Sequence, residues 1–166
     1  MSTQDNLQSA FAGESQANRK YLAFAKKADQ DGFPGVAKLF RAAAEAETIH
    51  AHAHLRAMGG IKDTMANLEE AIAGESYEFN TMYPEFIAEA EKEDNKVALT
   101  SFNNANAVEK IHHEMYSKAL GSLKNDSDIE ELKIHVCLIC GNTVVGDAPD
   151  ICPICRFPRE NFIEVK

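Results

Sequence analysis

The chain has 166 residues, and its 26 acidic against 17 basic side chains leave a formal charge of −9. That excess excludes a nucleic-acid binder, since no basic patch is available to neutralise phosphates, and it opposes docking on anionic membranes. No apolar run approaches the roughly 20 residues that span a bilayer, and the start MSTQDNL lacks the basic and apolar stretches of a signal peptide, so a cytoplasmic protein is expected.

Up to about residue 123 the chain is rich in Ala, Glu, Lys and Leu and reads as four helices. The first runs from about Gln4 to Gln30 and stops at Asp31-Gly32-Phe33-Pro34. The second runs from Pro34 or Gly35 to Met58, before Gly59-Gly60. The third starts near Thr64 or Asn67, either a plausible cap, and reaches about Lys92 with a bend expected at Pro84. The fourth runs from about Asn95 to Leu120 and is expected to end at Gly121. Four helices of similar length predict a four-helix bundle. A polar stretch, Leu123-Lys-Asn-Asp-Ser-Asp128, suits a linker. Two domains are therefore expected, a helical one at 1–130 and a small irregular one at 134–166, where all four cysteines and Pro149, Pro153 and Pro158 lie.

The inward stripes of the four helices are apolar at both ends and carry Glu near the middle. They contain Glu14 in the first helix, Glu47 and His50 in the second, Glu75 and Glu78 in the third, and Glu109 and His112 in the fourth. A lone Glu on such a stripe is ordinarily solvated. Five at matching depth would be costly to bury without cations, and carboxylate oxygen with imidazole suits iron or manganese. One Glu from each of two helices, with Glu-x-x-His from each of the other two, is the donor set of dinuclear carboxylate bundles.

An internal repeat has the same implication. Ala12-Gly-Glu-Ser15 recurs as Ala73-Gly-Glu-Ser76, offset by 61, and Glu47-x-x-His50 recurs as Glu109-x-x-His112, offset by 62. A duplicated helix pair would give the site approximate two-fold symmetry. Glu78 breaks it, because its counterpart in the first helix is Ala17. His52, His54, His113 and His135 are expected to pack or face solvent. Glu89, Glu91, Glu93 and Asp94 read as a solvated face.

Cys137-x-x-Cys140 and Cys152-x-x-Cys155 lie 11 residues apart and form one tetrahedral thiolate site. Spacing alone favours zinc. Attachment to a dimetal bundle favours iron, which can exchange an electron where zinc cannot.

Taken together, Phe11-Ala-Gly-Glu-Ser15, Glu47-x-x-His50, Ile72-Ala-Gly-Glu-Ser-Tyr-Glu78, Met82-Tyr-Pro-Glu85, Glu109-x-x-His112 and His135-Val-Cys-Leu-Ile-Cys-Gly141 through Cys155 resemble the rubrerythrin family along nearly the whole chain. The resemblance implies a ferritin-like four-helix bundle with a C-terminal rubredoxin-like domain. It implies two non-haem irons in an oxo- and carboxylate-bridged site held by Glu14, Glu47, His50, Glu75, Glu78, Glu109 and His112. A third iron would sit on Cys137, Cys140, Cys152 and Cys155. Glu47 and Glu109 would bridge, His50 and Glu78 would exchange as ligands with redox state, and Tyr21 and Tyr83 would stand near the reacting atoms. The implied activity is a peroxidase that reduces hydrogen peroxide to water and protects against oxidative stress. Its electrons would pass through the rubredoxin-like iron from a donor such as rubredoxin or an NAD(P)H-dependent reductase, in a homodimer or larger assembly. Asn142 and Val144 depart from stand-alone rubredoxins, where aromatics are common. Two rival functions are a ferroxidase or iron-handling protein that uses dioxygen, and a non-enzymatic binding module with zinc on the cysteines.

Overall fold

A computed structural model of the chain describes residues 2–130 and 133–166. Residues 131 and 132, in the expected junction between domains, lie outside the described residues. The fold is mainly α, and its described residues fall into two compact units divided after Lys62.

The first unit is a helical hairpin of α1 (Thr3–Gln30) and α2 (Pro34–Ala57). α1 starts with a capping box, in which Ser2 Oγ accepts from the Asp5 N–H and Asp5 Oδ2 accepts from the Ser2 N–H. Gly32, at φ +82°, turns the chain out of the helix, and Pro34 opens α2, where a missing N–H costs nothing. The seam is built from small residues. Ala37, Ala44 and Ala51 recur every seven positions on α2 and are buried, opposite Asn18, Ala25 and Ala28 on α1. Side chains this small let the backbones approach closely. Asn18 uses that closeness: its Nδ2 donates to the Ala44 carbonyl at 2.7 Å and to Thr48 Oγ1 at 2.8 Å.

The second unit begins with α3 (Thr64–Tyr77), a π-helical turn at Glu78–Met82, and α4 (Tyr83–Lys92), followed by α5 (Lys96–Leu123). Both α3 and α4 pack on α5. The N-cap of α3 is Asp63, whose Oδ1 accepts from the Ala66 N–H at 2.9 Å, rather than Thr64 or Asn67. The third helix does not merely bend at Pro84. It widens by one residue in the turn before it, where the Tyr83 N–H reaches back to the Glu78 carbonyl. Pro84 has no N–H for an α-helical bond and its ring would crowd the carbonyl four residues back, so a wide turn just ahead of it relieves the conflict. α5 runs through Gly121 to Leu123, because one glycine costs only about 1 kcal/mol of helix propensity.

The rest of this unit is a three-stranded antiparallel sheet in the order β2-β1-β3, with β1 at Ile134–Cys137, β2 at Thr143–Val145 and β3 at Phe162–Glu164. Val136 pairs with Thr143 on one side and Ile163 on the other.

Candidate metal centres

The helical ligands form two triads, one within each unit. In the first, ligand atoms of Glu14, Glu47 and His50 lie within 4.8 Å of one another. Glu47 and His50 stand three residues apart, one face of one helix, and His50 Nδ1 is 2.9 Å from Glu47 Oε2. In the second, Glu75, Glu109 and His112 meet the same limit, with His112 Nδ1 3.0 Å from Glu109 Oε2 and 3.8 Å from Glu75 Oε1. The triads occupy equivalent positions in the repeat, which thus carries two copies of one donor set.

The repeat also changes its offset beside Glu78. Glu14 and Glu75 are 61 apart, but Tyr21-Leu-Ala-Phe24 recurs as Tyr83-Pro-Glu-Phe86 at an offset of 62. The additional residue therefore falls between Ser76 and Tyr83, where the π-helical turn lies. A π turn is an α-helix with one residue inserted, and such turns concentrate at functional sites. Glu78 opens this turn and is a carboxylate where the first half has Ala17. Glu78 responds electrostatically to the second triad: burial raises its pKa, the Glu75 charge raises it further, and His112 opposes both.

Glu75 is also pushed up, first by burial and then by the facing Glu109 carboxylate, with His112 and His113 acting against the rise. Tyr83 is raised by burial and then by Glu109, Glu78 and Glu75 in turn, so its hydroxyl stays protonated in the neighbourhood of this triad. Its ring stands 6.2 Å from those of Phe86 and Phe102. The equivalent Tyr21 packs with Phe24 and Phe40 at 6.4 and 6.2 Å. Of the remaining histidines, His113 lies edge-on to Phe79 at 5.4 Å, and His135 Nδ1 donates to the Gly146 carbonyl at 2.7 Å.

Four thiols converge in the second unit. All four Sγ atoms lie within 4.8 Å of one another, with Cys137 to Cys155 at 3.7 Å and Cys140 to Cys152 at 3.6 Å. A tetrahedral site with metal–sulfur bonds of about 2.3 Å has edges of about 3.8 Å, so the sulfurs are already placed for one ion. The two knuckles repeat one backbone pattern. The N–H groups of Gly141 and Arg156 return to the carbonyls of Cys137 and Cys152, and both residues have positive φ, +82° and +66°. Likewise Cys137 N–H donates to the Asn142 carbonyl and Cys152 N–H to that of Phe157. Burial tends to raise the Cys152 thiol, but the N–H groups of Cys155 and Ile154, together with the Cys140 and Cys155 thiols, outweigh it and hold the thiol at about 7. Cys140 and Cys155 are pushed up by burial. Buried Asn142, which the sequence marked only as a non-aromatic replacement, turns its Nδ2 to Cys152 Sγ at 3.7 Å.

Both donor sets fit metal. Facing carboxylates repel until a cation lies between them, and four sulfurs in contact with no disulfide form a soft site. Thr143 is a contact that sequence reasoning missed: its Oγ1 lies 2.9 Å from His112 Nε2. Nothing in local spacing could reveal a partner 31 positions away.

Two Glu-x-x-His helices with two further Glu-bearing helices, joined to a thiolate knuckle module, define a ferritin-like carboxylate protein carrying a rubredoxin-like centre. The family profile described as Rubrerythrin matches residues 5–120, and that of the rubredoxin-like domain of rubrerythrin matches residues 135–163. The chain belongs to the rubrerythrin family, whose sites are a di-iron centre and a tetrathiolate iron. It is 40% identical to nigerythrin of Nitratidesulfovibrio vulgaris, covering 97% of this chain and 85% of that one. It is 33% identical to rubrerythrin-2 of Clostridium acetobutylicum, covering 96% and 95% of the two. The solved structure of fully reduced, all-ferrous nigerythrin aligns with 99% of this chain and 87% of that one, at a TM-score of 0.59 and 34% identity. Membership makes this an iron oxidoreductase. No helix among the described residues is long and apolar enough to cross a membrane.

Proposed function

We propose that the protein is a peroxidase that reduces hydrogen peroxide to water, protecting the cell from oxidative stress. Glu14, Glu47, His50, Glu75, Glu78, Glu109 and His112 would be the iron ligands of the helices, with electrons supplied through the tetrathiolate iron. The observation that carries this reading is the pairing of two centres of different chemistry in one chain: a hard carboxylate–imidazole set and a soft thiolate set. Bound to the hard set, two irons would supply the two electrons that cleavage of a peroxide O–O bond requires, and iron on Cys137, Cys140, Cys152 and Cys155 would supply one-electron chemistry. Within that scheme Glu47 and Glu109 would serve both ions, with Glu14 and Glu75 completing the donor set. Glu78 offers charge to the more oxidised state, which favours oxygen donors, and His50 offers nitrogen to the reduced one. Tyr83, kept protonated first by burial and then by its acidic neighbours, holds a hydroxyl proton beside the second triad. Tyr21 would take the corresponding place in the first. The electron donor would be rubredoxin or an NAD(P)H-dependent reductase, and the assembly a homodimer or larger.

The deciding experiment mixes fully reduced protein with hydrogen peroxide or dioxygen in stopped flow and follows reoxidation. Faster reoxidation by peroxide, with water as product, is expected. Preference for dioxygen would instead identify a ferroxidase. A colourless cysteine domain as isolated from iron-replete cells would indicate zinc and a binding module.

A further inference from the structure

We propose that Thr143, on the rubredoxin-like sheet, is a positioning residue for the metal site in the helices: its hydroxyl fixes the orientation and tautomer of His112. The inference rests on His112 being an iron ligand, as proposed above.

The direction of each hydrogen bond follows from counting protons. Thr143 Oγ1 is 3.0 Å from the Gly141 carbonyl oxygen, which can only accept. The single hydroxyl proton is therefore committed to Gly141. The contact of Oγ1 with His112 Nε2 at 2.9 Å must then use a proton on the ring, so Nε2 donates. With Nε2 committed to Thr143, Nδ1 is the nitrogen left for a metal, which would take the place of the proton between Nδ1 and the acceptor-only Glu109 carboxylate 3.0 Å away. That is the nitrogen that faces Glu109 and Glu75. A metal-binding imidazole held through its other nitrogen loses the rotational freedom it would otherwise have to give up on binding.

Thr143 is itself rigidly placed. Its backbone pairs with Val136 in β1, and it follows the first cysteine knuckle directly. Gly141 also lies near the same helix: a Cβ added there would stand 3.8 Å from Val108 Cγ1, one turn before His112, and Val108 is 2% exposed. The adjacent Asn142 reaches Cys152 Sγ. Two neighbouring residues thus bind the two centres, Asn142 at a sulfur and Thr143 at an imidazole, within one polypeptide. The equivalent His50 differs. Its side chain is 55% exposed, and its ring has a contact only through Nδ1 among the described residues.

The test uses the full-length iron protein and its Thr143→Val and Thr143→Ser variants, with the tetrathiolate absorption confirming that the sheet is folded. Ferrous ion affinity of the helical site is read anaerobically by chelator competition. Thr143→Val keeps the shape and removes the acceptor, so a loss of about 10- to 100-fold is expected, with Thr143→Ser close to the unsubstituted protein. A second readout is internal transfer, in which one electron leaves the ferrous tetrathiolate and reduces one ferric ion of the helical site. It should slow in Thr143→Val and recover in Thr143→Ser. Unchanged affinity in Thr143→Val, or a Ser variant no better than Val, overturns the proposal. Should Thr143→Val not fold, long-range ¹H–¹⁵N spectra of the zinc-loaded, full-length protein decide. Protonated Nε2 on His112 supports the assignment, and protonated Nδ1 overturns it. None of these readouts uses peroxide. Normal iron binding with indifference to peroxide would therefore refute the peroxidase alone.

Discussion

Replacing Asn142 by Leu should lower the reduction potential of the tetrathiolate iron by about 40 mV. Asn142 is 1% exposed and donates through Nδ2 to Cys152 Sγ at 3.7 Å. Leu has similar volume, so the site stays closed to water while the donor disappears. A hydrogen bond to a charged group contributes about 1.5–3 kcal/mol, and a long N–H···S contact belongs at the lower end. The tetrathiolate centre carries one more negative charge when ferrous than when ferric, so the donor favours the ferrous state. If about half the bond energy survives oxidation, the difference is about 1 kcal/mol. A one-electron couple moves about 59 mV per tenfold, or per 1.4 kcal/mol, which gives the shift above. Spectroelectrochemical titration of the visible thiolate absorption measures it. The N–H groups of Cys155 and Ile154 still serve Cys152 in the variant, so the knuckle persists. An unchanged or higher potential would refute the assignment of Asn142 as a tuning donor.

Glu78→Ala should slow peroxide-driven reoxidation by more than about tenfold while leaving ferrous iron bound, as stopped flow and iron analysis would show. Asn18→Ala removes one buried and one half-buried hydrogen bond to α2, worth about 2 kcal/mol together, and should lower Tm by roughly 4–8 °C in calorimetry. The apoprotein should lose stability as pH rises. Glu75 and Glu78 have folded pKa values raised above the unfolded ones, so their contribution is complete below about pH 4.5 and is lost as pH climbs through the raised values. Bound metal supplies the missing countercharge, so the gap in Tm between iron-loaded and apoprotein should widen from pH 5 to pH 7. A gap that narrows would refute the assignment of Glu75 and Glu78 to the metal.

The ligand triads were legible in the sequence because an i, i+3 pair lies on one helix face whatever the tertiary structure does. The knuckles were legible because two C-x2-C turns close on one ion for local reasons. What escaped was set elsewhere. Gly121 stops a helix in isolation but not one packed along its length, and the cap of α3 fell to Asp63 because its carboxylate reaches the Ala66 N–H. Asn18 stood on the inward stripe with nothing to mark it as a structural donor, since its partners are 26 and 30 residues away. The π turn left a trace in the shift of offset from 61 to 62, visible only once Tyr21 and Tyr83 are aligned.

That one-residue shift and the Thr143 contact bear on the same question. Duplication alone yields two equal triads, and equal triads give a dimetal centre no reason to treat its ions differently. The second half departs from equality twice. Glu78, at the start of the π turn, stands where the first half has Ala17, and a strand from the cysteine sheet holds His112 through Nε2. The first half keeps the unmodified triad, with His50 exposed and held only through Nδ1 among the described residues. A centre whose coordination changes with charge needs one imidazole that stays and one that can leave. On the proposed reading, His112 is the imidazole that stays and His50 the one that leaves. The fixed side is also the side on which the cysteine knuckle is anchored. If Thr143→Val makes His112 as exchangeable as His50, iron affinity falls and the redox asymmetry of the two ions falls with it. Mössbauer spectra of the mixed-valent protein would then show the two iron sites becoming more alike. Spectra unchanged by the substitution would separate the asymmetry from Thr143 and leave Glu78 as its sole source.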